Sequence, residues 1–212
     1  KEKLLATLSS GMKLRRSRTE INLLKEQVEV LSNATAGGSE EIIIGDSPVM
    51  QQVFSTVEKL RDTDANILIL GENGTGKDVI ARMLYRNSPR YGKPFVTIDL
   101  GSIPEQLFES ELFGYEKGAF TDARNAKAGR MEVATGGTLF LDEIGNLSLP
   151  MQSKLLTAIE KRCISRLGST QATPIDVRLI CATNADIRRL VDEGDFRQDL
   201  LYRINTIELH IP

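Results

Sequence analysis

A glycine-rich stretch at residues 71–78 has the residue types and spacing of a phosphate-binding loop. It follows an apolar run at 66–70 and precedes an amphipathic run at 79–85, which predicts a strand, a loop and a helix in that order. Backbone N–H groups of the loop and the helix N-terminus would bind phosphate oxygens, and Lys77 would reach the terminal phosphates. The predicted nucleotide-binding residues are Gly71, Glu72, Asn73, Gly74, Thr75, Gly76, Lys77, Asp78 and Val79.

Asp78 departs from the usual pattern, because a Ser or Thr hydroxyl normally meets Mg²⁺ at that position. An acid there would approach the ion directly or through water, so Asp78 is a candidate metal residue. The plain alternative is a glycine-rich turn between a strand and a helix, and the motifs that follow in order argue against it.

Two further strand ends carry polar groups. The apolar run that starts at Gly136 delivers Asp142 and Glu143, which suits a site where Asp142 holds Mg²⁺ and Glu143 polarises the attacking water. A second apolar run ends at Asn184, whose amide can sense the γ-phosphate and orient water. Each signal is weak alone, and behind a phosphate loop they reinforce one another.

Composition is that of an ordinary soluble domain, with 41% hydrophobic and 26% charged residues. The net charge of −2 gives no overall attraction to DNA or to a membrane, and no apolar run approaches membrane-spanning length. The two cysteines, Cys163 and Cys181, are too few for a disulfide framework. We therefore expect a cytoplasmic protein, and the start at Lys1 without a Met indicates an excerpt of a longer chain.

Residues 1–41 read as a charged helical linker with a hinge, and the main domain is expected at 42–212. The helix at 1–31 has an apolar seam with heptad-compatible spacing that Ser17 interrupts. A coiled coil, which would pair two subunits, and a solvated linker helix are both open. The seam residues are Leu14, Ile21, Leu24, Val28 and Leu31.

The main domain alternates short β-rich runs with helical stretches. Strands are predicted at 67–70, 95–99, 138–141, 177–182 and 206–211, and helices at 48–61, 77–86, 104–112, 149–161 and 196–202. Continuous apolar strands separated by helices predict an α/β sandwich with a parallel five-stranded sheet covered on both faces. Ligands of such folds bind at the carboxyl ends of the strands, where the glycine-rich loop begins.

The segment from Glu111 to Ala123, with the sequence ELFGYEKGAFTDA, resembles the signature loop of sigma-54-dependent transcriptional activators, the bacterial enhancer-binding proteins. The segments at 129–132, 136–144, 176–184 and 196–203 also match that family's AAA+ domain in order. The resemblance covers about 43–212. It implies a P-loop ATPase fold, ATP and Mg²⁺ as ligands, and a hexameric or heptameric ring with each active site shared between subunits.

The resemblance also implies partners and roles. Hydrolysis would drive the loop Gly118, Ala119, Phe120, Thr121, Asp122 and Ala123 against sigma-54 in the RNA polymerase holoenzyme and open the promoter complex. Arg197 and Arg203 match the arginine fingers, and Ile44 and Gly45 match the adenine-side turn. A sensory domain of a two-component system, a helical lid and an enhancer-DNA-binding domain would lie outside this chain.

Three positions depart from the family pattern: Tyr115 replaces a usual His, Asp122 a usual Gly, and Asp99 a usual Asn that hydrogen-bonds the catalytic Glu. Because an ionised acid cannot donate to a carboxylate, Glu143 and Asp99 should share a proton or be kept apart. These departures leave two alternatives to a sigma-54 motor: a nucleotide-controlled assembly module with impaired motor activity, or another AAA+ remodeller.

Overall fold

A computed structural model describes residues 47–212 and, before them, positions 17, 20, 21, 23, 24 and 28. Those six positions are helical, and the seam residues Ile21, Leu24 and Val28 are exposed there. Leu14, Leu31 and the hinge lie outside the described residues, so the choice between coiled coil and linker helix stays a prediction. Among the described residues, no helix is long and apolar enough to cross a membrane.

The centre of the domain is a five-stranded sheet in which every pairing is parallel. The strands are β1 Ile67–Leu70, β2 Phe95–Asp99, β3 Gly114–Tyr115, β4 Lys127–Ala128, β5 Thr138–Asp142, β6 Cys163–Ser165, β7 Ala172–Pro174, β8 Arg178–Thr183 and β9 Ile207–His210. The order of the five-stranded sheet, β2-β5-β8-β1-β9, puts β1 between β8 and β9, and two small antiparallel ladders lie outside it.

Helices cover both faces of the sheet and bury apolar side chains against it. The helices are α1 Pro48–Lys59, α2 Lys77–Arg86, α3 Glu105–Leu112, α4 Arg130–Val133, α5 Leu149–Lys161, α6 Ile187–Glu193 and α7 Gln198–Ile204, with a 3₁₀ turn at Ile144–Asn146. On one face of the sheet, α1 and α2 pack on side chains such as Ile69 and Ile180. On the other face, the remaining core helices pack on side chains such as Leu68 and Leu141. The expected parallel α/β sandwich is confirmed.

Most differences from the predicted elements lie at their ends. The predicted helix at 196–202 begins only at Gln198, because Phe196 is buried in the preceding loop and Arg197 is the N-cap. The predictions missed the two ladders β3–β4 and β6–β7, whose strands of two or three residues carry no periodic signal. They also missed α6, whose N-cap Asp186 accepts a hydrogen bond from the Arg189 N–H.

Arg90 joins three chain segments at the edge of the sheet where the strands begin. Its guanidinium contacts both carboxylate oxygens of Asp64 at 2.6 Å and the carboxylate of Asp176 at 3.0 Å. It also donates to the backbone carbonyls of Gly137 and Asp176. The Asp64 carboxylate, as the principal cause, raises the pKa of Arg90. This one side chain therefore fixes the entrances to β1, β5 and β8.

We expect Arg90→Met to lower the free energy of unfolding by about 2–4 kcal/mol, because it leaves two carboxylates and two carbonyls without their charged donor. Urea titration measures the change. Arg61→Met is the matched control, since the exposed Arg61 side chain makes no hydrogen bond or ion pair with the described residues, and it should stay within about 0.5 kcal/mol of the parent. Equal effects of the two substitutions would contradict this role for Arg90.

Candidate functional site

The glycine-rich loop leaves β1 and enters α2 in a tight turn. Gly74 and Gly76 have φ values of +83° and +81°, which only glycine adopts at little cost. A Cβ on Gly71 would come within 2.8 Å of the Thr75 hydroxyl oxygen, so the turn also requires glycine there for space. Lys77 opens α2, is only 7% exposed, and donates to the carbonyl oxygens of Gly71 and Glu72, each at 3.1 Å.

The end of β5 brings two acids to this loop. Asp142 is the last residue of β5, and one of its carboxylate oxygens accepts the Glu143 N–H at 3.0 Å. Glu143 has φ +54°, a left-handed conformation that costs a non-glycine residue free energy. Its carboxylate lies 3.6 Å from the Lys77 ammonium nitrogen and accepts the Asn184 backbone N–H at 3.4 Å. The turn therefore aims Glu143 at the loop.

Asp142 has the chemistry of a divalent-cation ligand. Burial raises the pKa of its carboxyl group, and the nearby charges of Glu143 and Asp99 raise it further, while Lys77 opposes them. No group of three or more side chains able to hold a metal ion occurs within the described part of the chain. Mg²⁺ needs only one or two carboxylates when phosphates supply other ligands, so Asp142 fits that ion. Asp78 lies exposed in the first turn of α2.

Asn184 follows β8 and reaches the glycine-rich loop. Its side-chain nitrogen donates to the side-chain oxygen of Asn73 at 2.9 Å. The neighbouring strands β1 and β8 are in parallel register, and the Gly71 N–H donates to the Thr183 carbonyl at 3.3 Å. The structure thus brings together the loop, Lys77, Glu143 and Asn184, as the sequence predicted for residues that would surround a terminal phosphate.

Asp99 ends β2 directly beside Asp142 in the register of the sheet. Its carboxylate accepts the Gly101 N–H at 2.9 Å, whereas the oxygens of Glu143 face Lys77 and the Asn184 backbone. The two carboxylates therefore have different hydrogen-bond partners, and the expectation that they share a proton or are kept apart stays a prediction. Ile44 and Gly45, the expected adenine-side turn, lie outside the described residues.

Arg203 lies at the opposite edge of the sheet. Its carbonyl accepts a hydrogen bond from the Asn66 side chain at 2.9 Å, and Asn66 immediately precedes β1 while the loop follows it. A strand of four residues spans about 13 Å. Arg203 pairs with Glu160 at 3.2 Å, and Arg197 with Asp199 at 2.7 Å. Arg203 is thus remote from the loop of its own chain.

The loop at 118–123 is a compact turn with an exposed aromatic residue. Its ends are joined by the Gly118 N–H to Ala123 carbonyl bond at 2.8 Å. Phe120 is 43% exposed, and its ring meets that of Tyr115 at 4.9 Å in an edge-on arrangement. Ala123 is buried, whereas Thr121 and Asp122 are exposed.

The family model described as "Sigma-54 interaction domain" matches residues 43–210. The chain belongs to the sigma-54 interaction domain family. It is 46% identical over 177 residues to the Nif-specific regulatory protein of Azorhizobium caulinodans, covering 84% of this chain and 29% of that protein. It is 45% identical over 180 residues to the DNA-binding transcriptional regulator NtrC of Salmonella typhimurium, covering 85% and 38%. The chain thus spans about a third of the length of these relatives.

Solved structures agree with this assignment. The chain superposes on NtrX from Brucella abortus in complex with ADP with a TM-score of 0.76 at 29% identity, covering 100% of this chain and 45% of that one. A P-loop NTPase domain of an Escherichia coli sigma-54 activator matches at TM-score 0.53 and 20% identity, covering 79% and 97%, and supports the fold alone. The AAA+ P-loop NTPase fold is therefore confirmed.

Two positioning side chains escaped the sequence analysis. Arg166, only 7% exposed, makes two bonds to the Glu132 carboxylate, at 2.8 and 2.6 Å, and approaches Glu116 at 3.4 Å. Gln152 is fully buried and accepts the Arg197 N–H at 2.8 Å. Partners separated by dozens of residues leave no local pattern, so no sequence signal points to them.

We expect Asp142→Asn to stabilise the nucleotide-free protein at neutral pH, because the amide keeps the bond to the Glu143 N–H without burying a charge. The pKa of Asp142 is raised on folding, so the native state binds its proton more tightly than the unfolded state. Above the folded-state pKa, the ionised Asp142 of the parent therefore lowers the free energy of unfolding. This loss disappears below the ordinary Asp pKa of about 3.9, where the carboxyl group is protonated in both states.

Urea titrations of the parent and of Asp142→Asn at several pH values measure this difference. The advantage of the amide should fade as the pH falls through the folded-state pKa of Asp142. The exposed Asp192, replaced by Asn, is the matched control and should show no comparable pH-dependent gain. An Asp142→Asn advantage that grew on acidification would contradict the predicted sign.

Proposed function

We propose that this chain is the ATP-hydrolysing core of a sigma-54-dependent transcriptional activator, a cytoplasmic protein whose subunits form a hexameric or heptameric ring. The observation that supports this most directly is the meeting of Lys77, Glu143 and Asn184 at the glycine-rich loop. A lysine, a carboxylate and an amide around one phosphate position are the parts that phosphoryl transfer to water requires.

In this proposal each described side chain has a separate task. Lys77 and the N-terminus of α2 bind the β- and γ-phosphates. Asp142 would hold Mg²⁺, with Asp78 in the first turn of α2 as the second candidate ligand. The ion would supply charge that stabilises the transferring phosphoryl group. Glu143 accepts hydrogen bonds from the attacking water and orients it. Asn184 contacts the γ-phosphate. The Asp99 carboxylate lies beside Asp142 in the register of the sheet, and repulsion between the two acids favours a bound cation at Asp142.

The location of Arg203 supports a site completed by a second subunit. Arg203 is about the length of β1 away from its own loop, so it would act on the nucleotide of a neighbour, as Arg197 would. An arginine finger of this kind stabilises transition-state charge and contributes about 10³–10⁵ in rate. Both arginines pair with acids in the isolated chain, and assembly would exchange those partners for phosphate.

Mixing two inactive variants tests this arrangement. We expect Arg203→Ala and Glu143→Gln each to abolish turnover alone. Their equimolar mixture should recover about a quarter of the parent rate, because random assembly puts an intact Glu143 opposite an intact Arg203 at that share of interfaces. The full-length protein is used, and phosphate release is measured.

The matched control mixes Arg203→Ala with the double variant that carries both substitutions, since no interface in that mixture has an intact finger. It should stay inactive. A mixture of the two single variants that is as inactive as its components would mean that Arg203 does not act across subunits.

The loop at 118–123 would engage sigma-54. Phe120 is an exposed aromatic side chain on a closed turn, and such residues dominate interface free energies. Asp122 adds an exposed carboxylate beside it, which would favour a cationic group on the partner. DNA binding and signal reception would belong to other parts of the full-length protein.

We expect full-length protein with ADP and aluminium fluoride, which mimics the transferring phosphoryl group, to form a stable complex with sigma-54. Phe120→Ala should lose the complex and keep its ATP turnover within about twofold, because the Phe120 ring contacts Tyr115 in its own turn and is proposed to contribute contact area to a partner. Tyr91→Ala, at an aromatic residue elsewhere that is even more exposed than Phe120, is the control and should keep the complex.

Two outcomes would overturn parts of this proposal. ATP turnover without any sigma-54 complex in the parent protein would favour another AAA+ remodeller. Nucleotide binding without turnover would favour the assembly module, in which Asp99 and Asp122 have impaired the motor. Asp99→Asn and Asp122→Gly then identify which departure is responsible.

A further inference from the structure

Asn73 is the residue of the glycine-rich loop whose side chain contacts Asn184. Its side-chain oxygen accepts the Asn184 side-chain N–H at 2.9 Å, across 111 positions of sequence. Asn73 is exposed and is followed by Gly74 in a left-handed conformation. Phosphate binding by such a loop uses backbone N–H groups, so the nucleotide does not require a side-chain amide at this position.

The contact gives the Asn184 amide a defined orientation. A terminal amide can take two orientations that exchange its oxygen and its nitrogen, and only the nitrogen donates. Here the Asn73 oxygen is the acceptor, and the Asn184 nitrogen therefore faces the loop. The nitrogen carries two N–H groups. One is directed to Asn73, which leaves the second available to a phosphate bound at the loop.

The Asn184 main chain is held as well. Its backbone N–H donates to the Glu143 carboxylate at 3.4 Å, and that carboxylate lies 3.6 Å from the Lys77 nitrogen. Asn184 is therefore restrained on one side by the residue proposed to orient water and on the other by the loop that binds phosphate. Without Asn73, the side chain of Asn184 would be free to rotate in solvent.

We propose that Asn73 is a positioning residue that fixes the Asn184 amide as a γ-phosphate donor, so that the site distinguishes ATP from ADP through this pair. The proposal rests on the proposed nucleotide function and adds a determinant of which nucleotide is preferred. ADP has no γ-phosphate, so its affinity should not depend on Asn184 or on Asn73. ATP affinity should depend on both residues. The effects of substituting them should not add, because Asn73 acts through Asn184.

The test measures affinities for ADP and for a non-hydrolysable ATP analogue in the full-length protein, with Asn73→Ala, Asn184→Ala and the double variant. A hydrogen bond of this type corresponds to about a two- to tenfold change in a binding constant. Asn73→Ala should weaken binding of the analogue by that factor and leave the affinity for ADP unchanged. In the Asn184→Ala background, Asn73→Ala should have no further effect, because the side chain that it positions is gone.

Asn125→Ala is the matched control, since Asn125 is exposed and its side chain makes no hydrogen bond within the described part of the chain, and both affinities should be unchanged. Three results would overturn the proposal: equal weakening of both nucleotides, additive effects in the double variant, or tighter binding of the analogue by Asn73→Ala. Tighter binding would mean that Asn73 competes with phosphate for Asn184. Failure of the proposed function is distinguishable, because the parent protein would then bind neither nucleotide, or would bind both and release no phosphate from ATP in a parallel assay.

Discussion

The buried ammonium group of Lys77 is the charge on which the candidate site depends. An ammonium group has three N–H donors, and Lys77 is within 3.1 Å of two loop carbonyls and 3.6 Å of the Glu143 carboxylate. Those partners offset the cost of removing the charge from water. Under the proposed function, a bound phosphate would replace the longer contact with Glu143 and leave the two carbonyl contacts in place. The Glu143 carboxylate would then be free to orient a water molecule.

The charges around Lys77 favour the divalent cation of the proposed function. Asp142, Glu143 and Asp99 gather at the ends of two adjacent parallel strands, and one ammonium group cannot balance three carboxylates. The pKa of Asp142 is raised by burial and by its acidic neighbours, so its ionised form is unfavourable without a partner. In the proposed function, Mg²⁺ with bound nucleotide would supply that partner. The same arrangement that weakens the ligand-free site would therefore favour the ligand-bound one.

The sequence predicted the loop, the acids and the parallel sheet because each is encoded by a local run of residues. The strand ends of a parallel sheet meet at one edge, so finding Asp142 and Asn184 after apolar runs was enough to bring them to the loop. The Arg166–Glu132 pair and the Asn73–Asn184 bond could not be predicted this way, since they depend on the exact separation of distant segments. The left-handed conformation of Glu143 was also unpredictable, because a glutamate there carries no signal of the turn.

The opposite edge of the sheet shows how the fold separates stability from chemistry. Arg178 is almost fully buried there, and it donates to the carbonyl of Ala65 before β1 at 3.2 Å and approaches that of Leu84 near the end of α2 at 3.5 Å. Burial lowers the pKa of Arg178, so its charge is retained at a cost. The contacts of Arg178 lie at the ends of β1 and α2 that are away from the glycine-rich loop. They therefore hold β1 and α2 together at those ends, while the loop itself keeps backbone N–H groups for the proposed phosphate.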